Sequence, residues 1–258
     1  MERIRNRKSS GFHSGTLRTW GMLFLASGIV GRSILQNRLL GLGQITAVQL
    51  LEVMNSSETA MIVATVALVL KAIETCAVPI FAFLLVEGYQ HTSNFKNYFL
   101  RVLGIAALSE LPYNLAMSGK LLDFSSRNPV FGLVLSLIVM YFYTLYAEKS
   151  GKNILFKAAV TLAAVIWVPM LRIEYGVCTV LIVATLWAFR KKPMLRTVAG
   201  ATMTIACSMT SLFFMVAPMS FLIIHGYNGE KGGSNRLVNY LAYPVILLAV
   251  GLVSMFVL

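Results

Sequence analysis

Residues 59–90 read TAMIVATVALVLKAIETCAVPIFAFLLVEGYQ, and this stretch decides the fold class. One proline and four polar residues interrupt its apolar character: Pro79, Lys71, Glu74, Thr75 and Glu87. A helix rises 1.5 Å per residue, so the stretch would be about 45 Å long, whereas the hydrocarbon core of a bilayer measures about 30 Å. We therefore expect one kinked, tilted membrane-spanning helix or two partial ones.

The composition of the whole chain points to the same class. Of its 258 residues, 57% are hydrophobic and only 12% are charged, whereas soluble domains carry about 25% charged residues. Further apolar stretches approach the ~20 residues that a crossing needs, at 20–35, 98–115, 129–147, 154–171, 176–189, 197–224 with a break near Pro218, and 238–257. We expect an all-α polytopic transmembrane helical bundle of about eight spans, with a basic tail (1–19) before a single transmembrane domain (20–258).

The distribution of charge predicts the orientation. A net charge of +12 would indicate nucleic acid in a soluble protein, but here the basic residues flank apolar stretches and act as topology signals. We expect no nucleic-acid partner. Most of the 22 Lys and Arg residues fall on one face if the N-terminus is cytoplasmic and residues 59–90 cross once. This predicts that both termini are cytoplasmic, in a multi-pass protein of a bacterial inner (cytoplasmic) membrane whose first partner is the lipid bilayer.

The sequence lacks the residue patterns that several common enzyme chemistries require. Cys76, Cys178 and Cys207 stand singly in apolar segments, so we expect buried thiols and neither a disulfide framework nor a metal site. The sequence holds no phosphate loop and no Ser-His-Asp order. Acyl transfer, transport and scaffolding remain open.

Glu87 and His91 are four residues apart and share one helix face at the end of an apolar stretch. A histidine whose ring is oriented by a carboxylate is the arrangement that a general base requires. The alternative is that His91 is simply a polar residue at the membrane boundary.

Lys71 and Glu74 lie in the middle of the long apolar stretch, where an isolated charge would cost several kcal/mol. Their spacing of three residues lets them neutralise each other on one helix, so we expect a buried charge pair. Such a pair fits helix packing as well as a substrate or proton site.

Glu110 lies in the segment GIAALSELPYNLAMSG, with Asn114 one turn further on. A carboxyl group there needs a raised pKa or a partner from another helix, although a satisfied packing contact is also consistent. Asn128 precedes a proline and fits a helix N-cap. Arg101 belongs to the basic residues predicted on the cytoplasmic face.

Six segments follow one another between residues 77 and 250: PIFAFLLVEGYQHT (79–92), YFLRVLGIAALSELPYNLAMSG (98–119), NPVFGLVLSL (128–137), EYGVCTVLI (174–182), YNGEKGG (227–233) and YLAYPVILL (240–248). In these segments and their order the chain resembles the TraX family. The resemblance implies a polytopic inner-membrane acyltransferase that takes an acetyl or similar group from cytoplasmic acetyl-CoA or another acyl-CoA. It implies an amine or hydroxyl acceptor on a membrane protein, peptide or glycan.

Under this resemblance His91 would be the catalytic base and Glu87 its orienting acid. The substrate-binding residues would be Glu110, Asn114, Asn128 and Arg101. The chain departs from the family in its first span, because residues 19–31 read TWGMLFLASGIVG and lack the usual Asp-His pair. A second hypothesis is therefore a catalytically silent relative that binds a membrane partner or lipid, or conducts a small solute.

Overall fold

A computed structural model describes residues 11–42, 52, 57–148, 150–232 and 236–256 of the protein, and most of these residues are helical. Within these ranges there is no β-strand. The α-helices are α1 (Ser14–Val30), α2 (Glu58–Thr75), α3 (Ala77–Gln90), α4 (Phe95–Ser118), α5 (Val130–Leu145), α6 (Gly151–Met170), α7 (Gly176–Ala188), α8 (Pro193–Ala206), α9 (Ser220–His225) and α10 (Arg236–Phe256).

The first helix is longer than the sequence predicted. It begins at Ser14, inside the predicted basic tail, where the His13 ring accepts a hydrogen bond from the backbone N–H of Thr16. It then continues into a π-helix, Gly31–Leu39. Segments of π-helix are rare and often mark functional sites. Residues 41–54 are too few and too mixed in character to cross a membrane, so the sequence predicts an amphipathic interfacial or re-entrant segment there. This segment lies almost entirely outside the described residues.

The long apolar stretch is broken at Cys76, which separates α2 from α3. Pro79 explains the break, because proline has no N–H to donate and its ring clashes with the carbonyl four residues earlier, that of Thr75. The predicted interruption of a single long helix is thus confirmed. Helix α2 starts after Ser57, whose side chain accepts a hydrogen bond from the backbone N–H of Ala60. In the sequence, Asn55 with Glu58 resembles a capping box and predicts a helix start near Ser56; Asn55 lies outside the described residues.

The contacts between helix termini define two ends of the bundle. Phe95 at the start of α4 stacks on Tyr141 near the end of α5, and Tyr89 at the end of α3 meets Trp187 at the end of α7. We call this end the basic end, because ten described cations lie there: Arg18, Lys96, Arg101, Lys152, Lys157, Arg190, Lys191, Lys192, Arg196 and Lys231. The opposite end has five: Arg32, Arg38, Lys120, Arg127 and Arg172.

Residues 193–225 form a hairpin that enters the bundle at the basic end and returns to it. Helix α8 runs inward, three short 3-10 turns span residues 207–219, and α9 runs back. The return is fixed by the backbone N–H of Phe12, which donates to the carbonyl of Gly226 at 2.7 Å, and by the hydroxyl of Ser14, which donates to the carbonyl of Lys231. The prediction that 197–224 makes one crossing is therefore wrong.

The hairpin changes where the chain ends. Helix α10 begins beside Arg101, which contacts Tyr240, and reaches Ala116 near the end of α4, beside Gly251. Phe256, the last described residue, thus lies at the end opposite to the start of α1. The predicted placement of both termini on one face is corrected, because the even number of crossings on which it depended counted the hairpin as a crossing.

In the described part of the chain, two helices are long and apolar enough to cross a membrane by length and composition: residues 58–90 taken across their break, and Gly151–Met170. Much of the first is buried in the bundle, whereas the second has many exposed apolar side chains. Shorter apolar helices accompany them at Val130–Leu145, Gly176–Ala188, Leu212–His225 and Tyr240–Phe256.

Candidate functional site

A cavity of about 260 Å³ lies between α1, α3, α4, α5, α7 and α10 and reaches the end of α2. Ala77 and Gly88 both line it, so it follows α3 over eleven residues, or about 16 Å at the rise of an α-helix. It is therefore narrow and elongated. Its walls are mostly apolar and include Met22, Leu25, Phe81, Leu84, Val102 and Leu133.

The two ends of the cavity differ in chemistry. At the basic end, which we call the mouth, it is lined by Arg18, Tyr98 and Tyr240. At its inner end, which we call the floor, it is lined by Glu74 and Tyr175. An apolar shaft thus connects a cation at the mouth with a buried carboxyl group at the floor.

Glu74 belongs to a group of buried polar side chains that we call the floor cluster: Arg32, Glu74, Tyr113, Glu174 and Tyr175. The Tyr175 hydroxyl donates to Glu74 Oε2 at 3.3 Å, and Arg32 Nη2 lies 3.9 Å from the same oxygen. Arg32 also forms an ion pair with Glu174, which accepts a hydrogen bond of 2.7 Å from the Tyr113 hydroxyl. One guanidinium thus bridges two carboxylates.

Electrostatics in the cluster favour the ionised form of Glu174. Burial by itself raises the pKa of this carboxyl, but the neighbouring Arg32 charge and the hydrogen bonds from Arg32 and Tyr113 outweigh it. The net effect is a pKa below the ordinary value of 4.5. Glu174 therefore holds Arg32 in place as a fixed anion.

Local backbone features bring the cluster together. Gly28 allows α1 to approach Glu74, since a Cβ at this glycine would lie 2.2 Å from Glu74 Oε2. Arg32 lies on the π-helix that follows α1. Tyr175 has a φ of 54°, in the left-handed region that non-glycine residues rarely adopt and that is often found at functional sites.

Lys71 and Glu74 interact electrostatically, as the predicted charge pair implies, but Lys71 does not form the close ion pair. Glu74 is buried, as expected, but its ion-pair partner among the described residues is Arg32. The Lys71 ammonium instead lies 4.9 Å from the ring centre of Phe213, in cation–π geometry. Sequence spacing could not reveal this exchange, because Arg32 comes from a different helix.

Glu87 and His91 do share a helix face, but the carboxylate does not orient the ring. Glu87 Oε1 accepts a hydrogen bond of 2.7 Å from Arg196, whose guanidinium also stacks on Phe83. The His91 ring is 72% exposed and lies 4.0 Å from the carboxylate; it bonds the backbone carbonyl of Glu87 at 2.8 Å. Glu87 thus lies next to His91 with one oxygen, while Arg196 of α8 binds the other. The catalytic role predicted for the pair stays a prediction.

Glu110 and Asn128 meet, as two of the predicted substrate-binding residues. Asn128 donates to Glu110 Oε2 at 2.6 Å, and Arg127 binds the other oxygen at 3.3 Å. Asn114 is buried and donates to the carbonyl of Leu121 at 3.5 Å. All three side chains thus have hydrogen-bond partners within the protein, and none of them lines the cavity. Their predicted role in substrate binding stays a prediction.

Arg101 is the predicted substrate-binding residue nearest the mouth. Its guanidinium donates to the Tyr240 hydroxyl at 3.3 Å, and Tyr240 lines the cavity. Two of the predicted site residues are thus found at the cavity: Glu74 lines its floor, and Arg101 lies beside its mouth. Neither member of the Glu87/His91 pair lines the cavity.

The described residues contain no group of three metal-ligating side chains. The three cysteines are free and buried, as expected.

The sequence profile described as "TraX protein" matches residues 51–254. The chain belongs to the TraX family. No functionally characterised protein and no solved structure matches it. Four floor residues of this TraX protein were not predicted from the sequence as site residues. Three of them lie in segments that carry the family resemblance: Tyr113 in SELPYNLA, and Glu174 and Tyr175 in EYGVCTVLI. The fourth, Arg32, lies before the matched region.

Proposed function

We propose that this TraX protein crosses the bacterial inner membrane several times, with its basic end in the cytoplasm. The surface of α6 supports this placement: Leu155 is 72% exposed and Met170 69% exposed, and a water-facing helix of this kind would be an aggregation site. The ten described cations at the basic end, against five at the other, agree with the positive-inside tendency.

We further propose that it transfers an acetyl or similar acyl group from a cytoplasmic CoA thioester to an amine or hydroxyl acceptor. One observation carries this proposal: an apolar shaft that leads from the cytoplasmic basic end to the buried carboxyl group of Glu74. A thioester arm fits such a shaft, whereas its phosphates stay outside. The floor then supplies the polar groups that acyl transfer requires.

The residues of the floor have separate roles in this reaction. The carboxylate of Glu74 takes a proton from the acceptor as its nitrogen or oxygen attacks the thioester carbonyl carbon. The hydroxyl of Tyr175 and the guanidinium of Arg32 donate to the oxyanion that forms. Collapse of this intermediate breaks the C–S bond, and the departing CoA thiolate receives the proton from Glu74.

A second candidate function has an observation of its own. His91 is exposed and its neighbour Glu87 is held by Arg196, so the histidine-based chemistry implied by the family resemblance has no formed site. A catalytically silent relative that holds a lipid or a partner segment in the apolar cavity is consistent with that geometry.

Transfer of radiolabelled acetyl from acetyl-CoA decides between these proposals. The purified protein in nanodiscs would be given a membrane extract as acceptor source. Glu74→Gln is expected to lower transfer at least 100-fold, because the neutral amide has lost the basic oxygen, whereas His91→Ala stays within twofold of wild type. If only His91→Ala loses transfer, the reaction takes place at the exposed His91 and not at the floor of the cavity. No transfer by the wild type with any extract would favour the silent relative.

A further inference from the structure

Arg18 has no counter-ion among the residues that the structure describes. It lies one turn into α1, half-buried at the mouth of the cavity. Among the described residues no carboxylate lies within 4.0 Å of it and no acceptor receives a hydrogen bond from it. Its electrostatic neighbours are the phenol groups of Tyr98 and Tyr240.

Arg18 differs from the other half-buried arginines in its position at the cavity. Arg38 and Arg190 also lack a carboxylate partner among the described residues, but neither lines the cavity, and Arg190 donates to the carbonyl of Trp187. Two further arginines inside the bundle are paired. Arg32 has Glu174 and Glu74, and Arg196 has Glu87. A partly desolvated guanidinium is costly when it has no partner. An anionic ligand is the simplest group that would complete this site.

Arg101 adds a second positive charge at the same place. Its guanidinium bonds the hydroxyl of Tyr240 at 3.3 Å, and Tyr240 is also the electrostatic neighbour of Arg18. Two guanidinium groups therefore flank one tyrosine at the mouth of an apolar shaft. Arginine favours phosphate, because its planar fork can donate two parallel hydrogen bonds.

We propose that Arg18, assisted by Arg101, binds the phosphate group of a ligand whose narrow arm enters the cavity. This chemistry is shared by the phosphopantetheine arm of a CoA thioester and by an anionic phospholipid with one acyl chain in the shaft. Phosphopantetheine is the source expected if the proposed acyl transfer is correct, and to that extent the inference rests on it. The phosphate site itself does not depend on the reaction.

Binding of 4′-phosphopantetheine and of pantetheine to the detergent-purified protein isolates the phosphate, because the two probes share the same arm. We expect the wild type to bind phosphopantetheine about 10- to 100-fold more tightly, the ratio for hydrogen bonds to a charged group. In Arg18→Gln this ratio should fall to about one, whereas Arg18→Lys keeps part of it. Arg190→Gln is the matched control: Arg190 is a cation of the same end that stacks on Trp187 away from the cavity.

A parallel set of nanodiscs distinguishes the two sources. If a phospholipid is the ligand, replacing phosphatidylcholine by phosphatidylglycerol raises the unfolding temperature of the wild type more than that of Arg18→Gln, and phosphopantetheine shows no preference. The proposal is overturned if neither ligand distinguishes the wild type from Arg18→Gln, or if Arg190→Gln has the same effect. Met22→Trp, which fills the shaft, should weaken both probes; equal binding would show that the arm lies elsewhere.

The outcomes also separate this inference from the proposed reaction. Glu74→Gln leaves Arg18 untouched and should bind phosphopantetheine like the wild type while failing to transfer acetyl. Phosphate-dependent binding together with full transfer by Glu74→Gln would refute Glu74 as the base of the reaction and leave the phosphate site standing. If transfer is lost in Glu74→Gln but phosphopantetheine binding is unchanged in Arg18→Gln, the phosphate site is refuted and the reaction stands.

Discussion

Replacing Gly28 by alanine should force α1 and α2 apart by about 1 Å. The new Cβ would lie 2.2 Å from Glu74 Oε2 and 2.4 Å from Glu74 Cβ, whereas ordinary contacts begin at 3.4 Å. Because the clash includes Cβ, a different side-chain rotamer of Glu74 cannot relieve it. The helices themselves have to move, and the carboxyl group moves with them.

The magnitude follows from two opposing effects. Overpacking of a core costs about 1–3 kcal/mol, whereas alanine in place of glycine inside a helix gains about 0.5–1 kcal/mol. We expect a net loss of about 1–2 kcal/mol in the free energy of unfolding. A displacement of about 1 Å at a reacting group lowers a rate by about 100-fold, so acetyl transfer should fall by that factor.

Gly104→Ala on α4 is the matched control, since nothing lies within 4 Å of a Cβ at this exposed glycine. It should gain about 0.5–1 kcal/mol and keep its activity. Both variants are measured by unfolding in mixed micelles and by transfer of labelled acetyl. Equal stability and equal transfer in the two variants would refute the close packing of Glu74 against α1 and its role in the reaction.

Three further results are expected. Gly88→Ala places a Cβ 2.5 Å from the Tyr98 hydroxyl and so pushes that ring into the mouth. Phosphopantetheine binding should weaken about tenfold, a loss of about 1.4 kcal/mol in binding free energy; unchanged binding would contradict the position of Tyr98 at the mouth. Glu174→Gln should lower the free energy of unfolding by about 3–5 kcal/mol, because it leaves Arg32 without its main partner. In the wild type this stabilisation is present above pH 4.5 and is lost as the pH falls through the lowered pKa of Glu174. If the stability of the variant fell at acid pH as steeply as that of the wild type, this expectation would be contradicted. Gly229→Cys should react with an impermeant maleimide only from the cytoplasmic side and Phe256→Cys only from the other, whereas labelling of both from one side would contradict the hairpin.

The helices could be predicted from the sequence because their signals are local. Apolar stretches gave most helices to within a few residues, and Pro79 marked the break in the longest one. The direction of the hairpin could not be predicted in the same way, because hydropathy does not say whether a chain continues or turns back. The deciding contacts, between Phe12 and the loop at Gly226, join residues more than 200 positions apart.

The candidate site shows the same division. Glu74 was recognised as a buried charge because its apolar surroundings are visible in the sequence. Its partner Arg32 was not, since spacing rules consider one helix at a time and favoured Lys71. In the same way, the helical spacing of Glu87 and His91 was right, but it contains no information about Arg196, which competes for the carboxylate from α8.

The central claim is that the acyl group is transferred at the floor of the cavity, and a photoreactive donor tests it most directly. A CoA thioester with a diazirine in its acyl group would be bound to the protein in nanodiscs and irradiated, and the labelled residues identified by mass spectrometry. We predict labels on Glu74, Tyr175 and Thr179, which line the floor. Labels on Glu87 or His91, with none at the floor, would contradict the account.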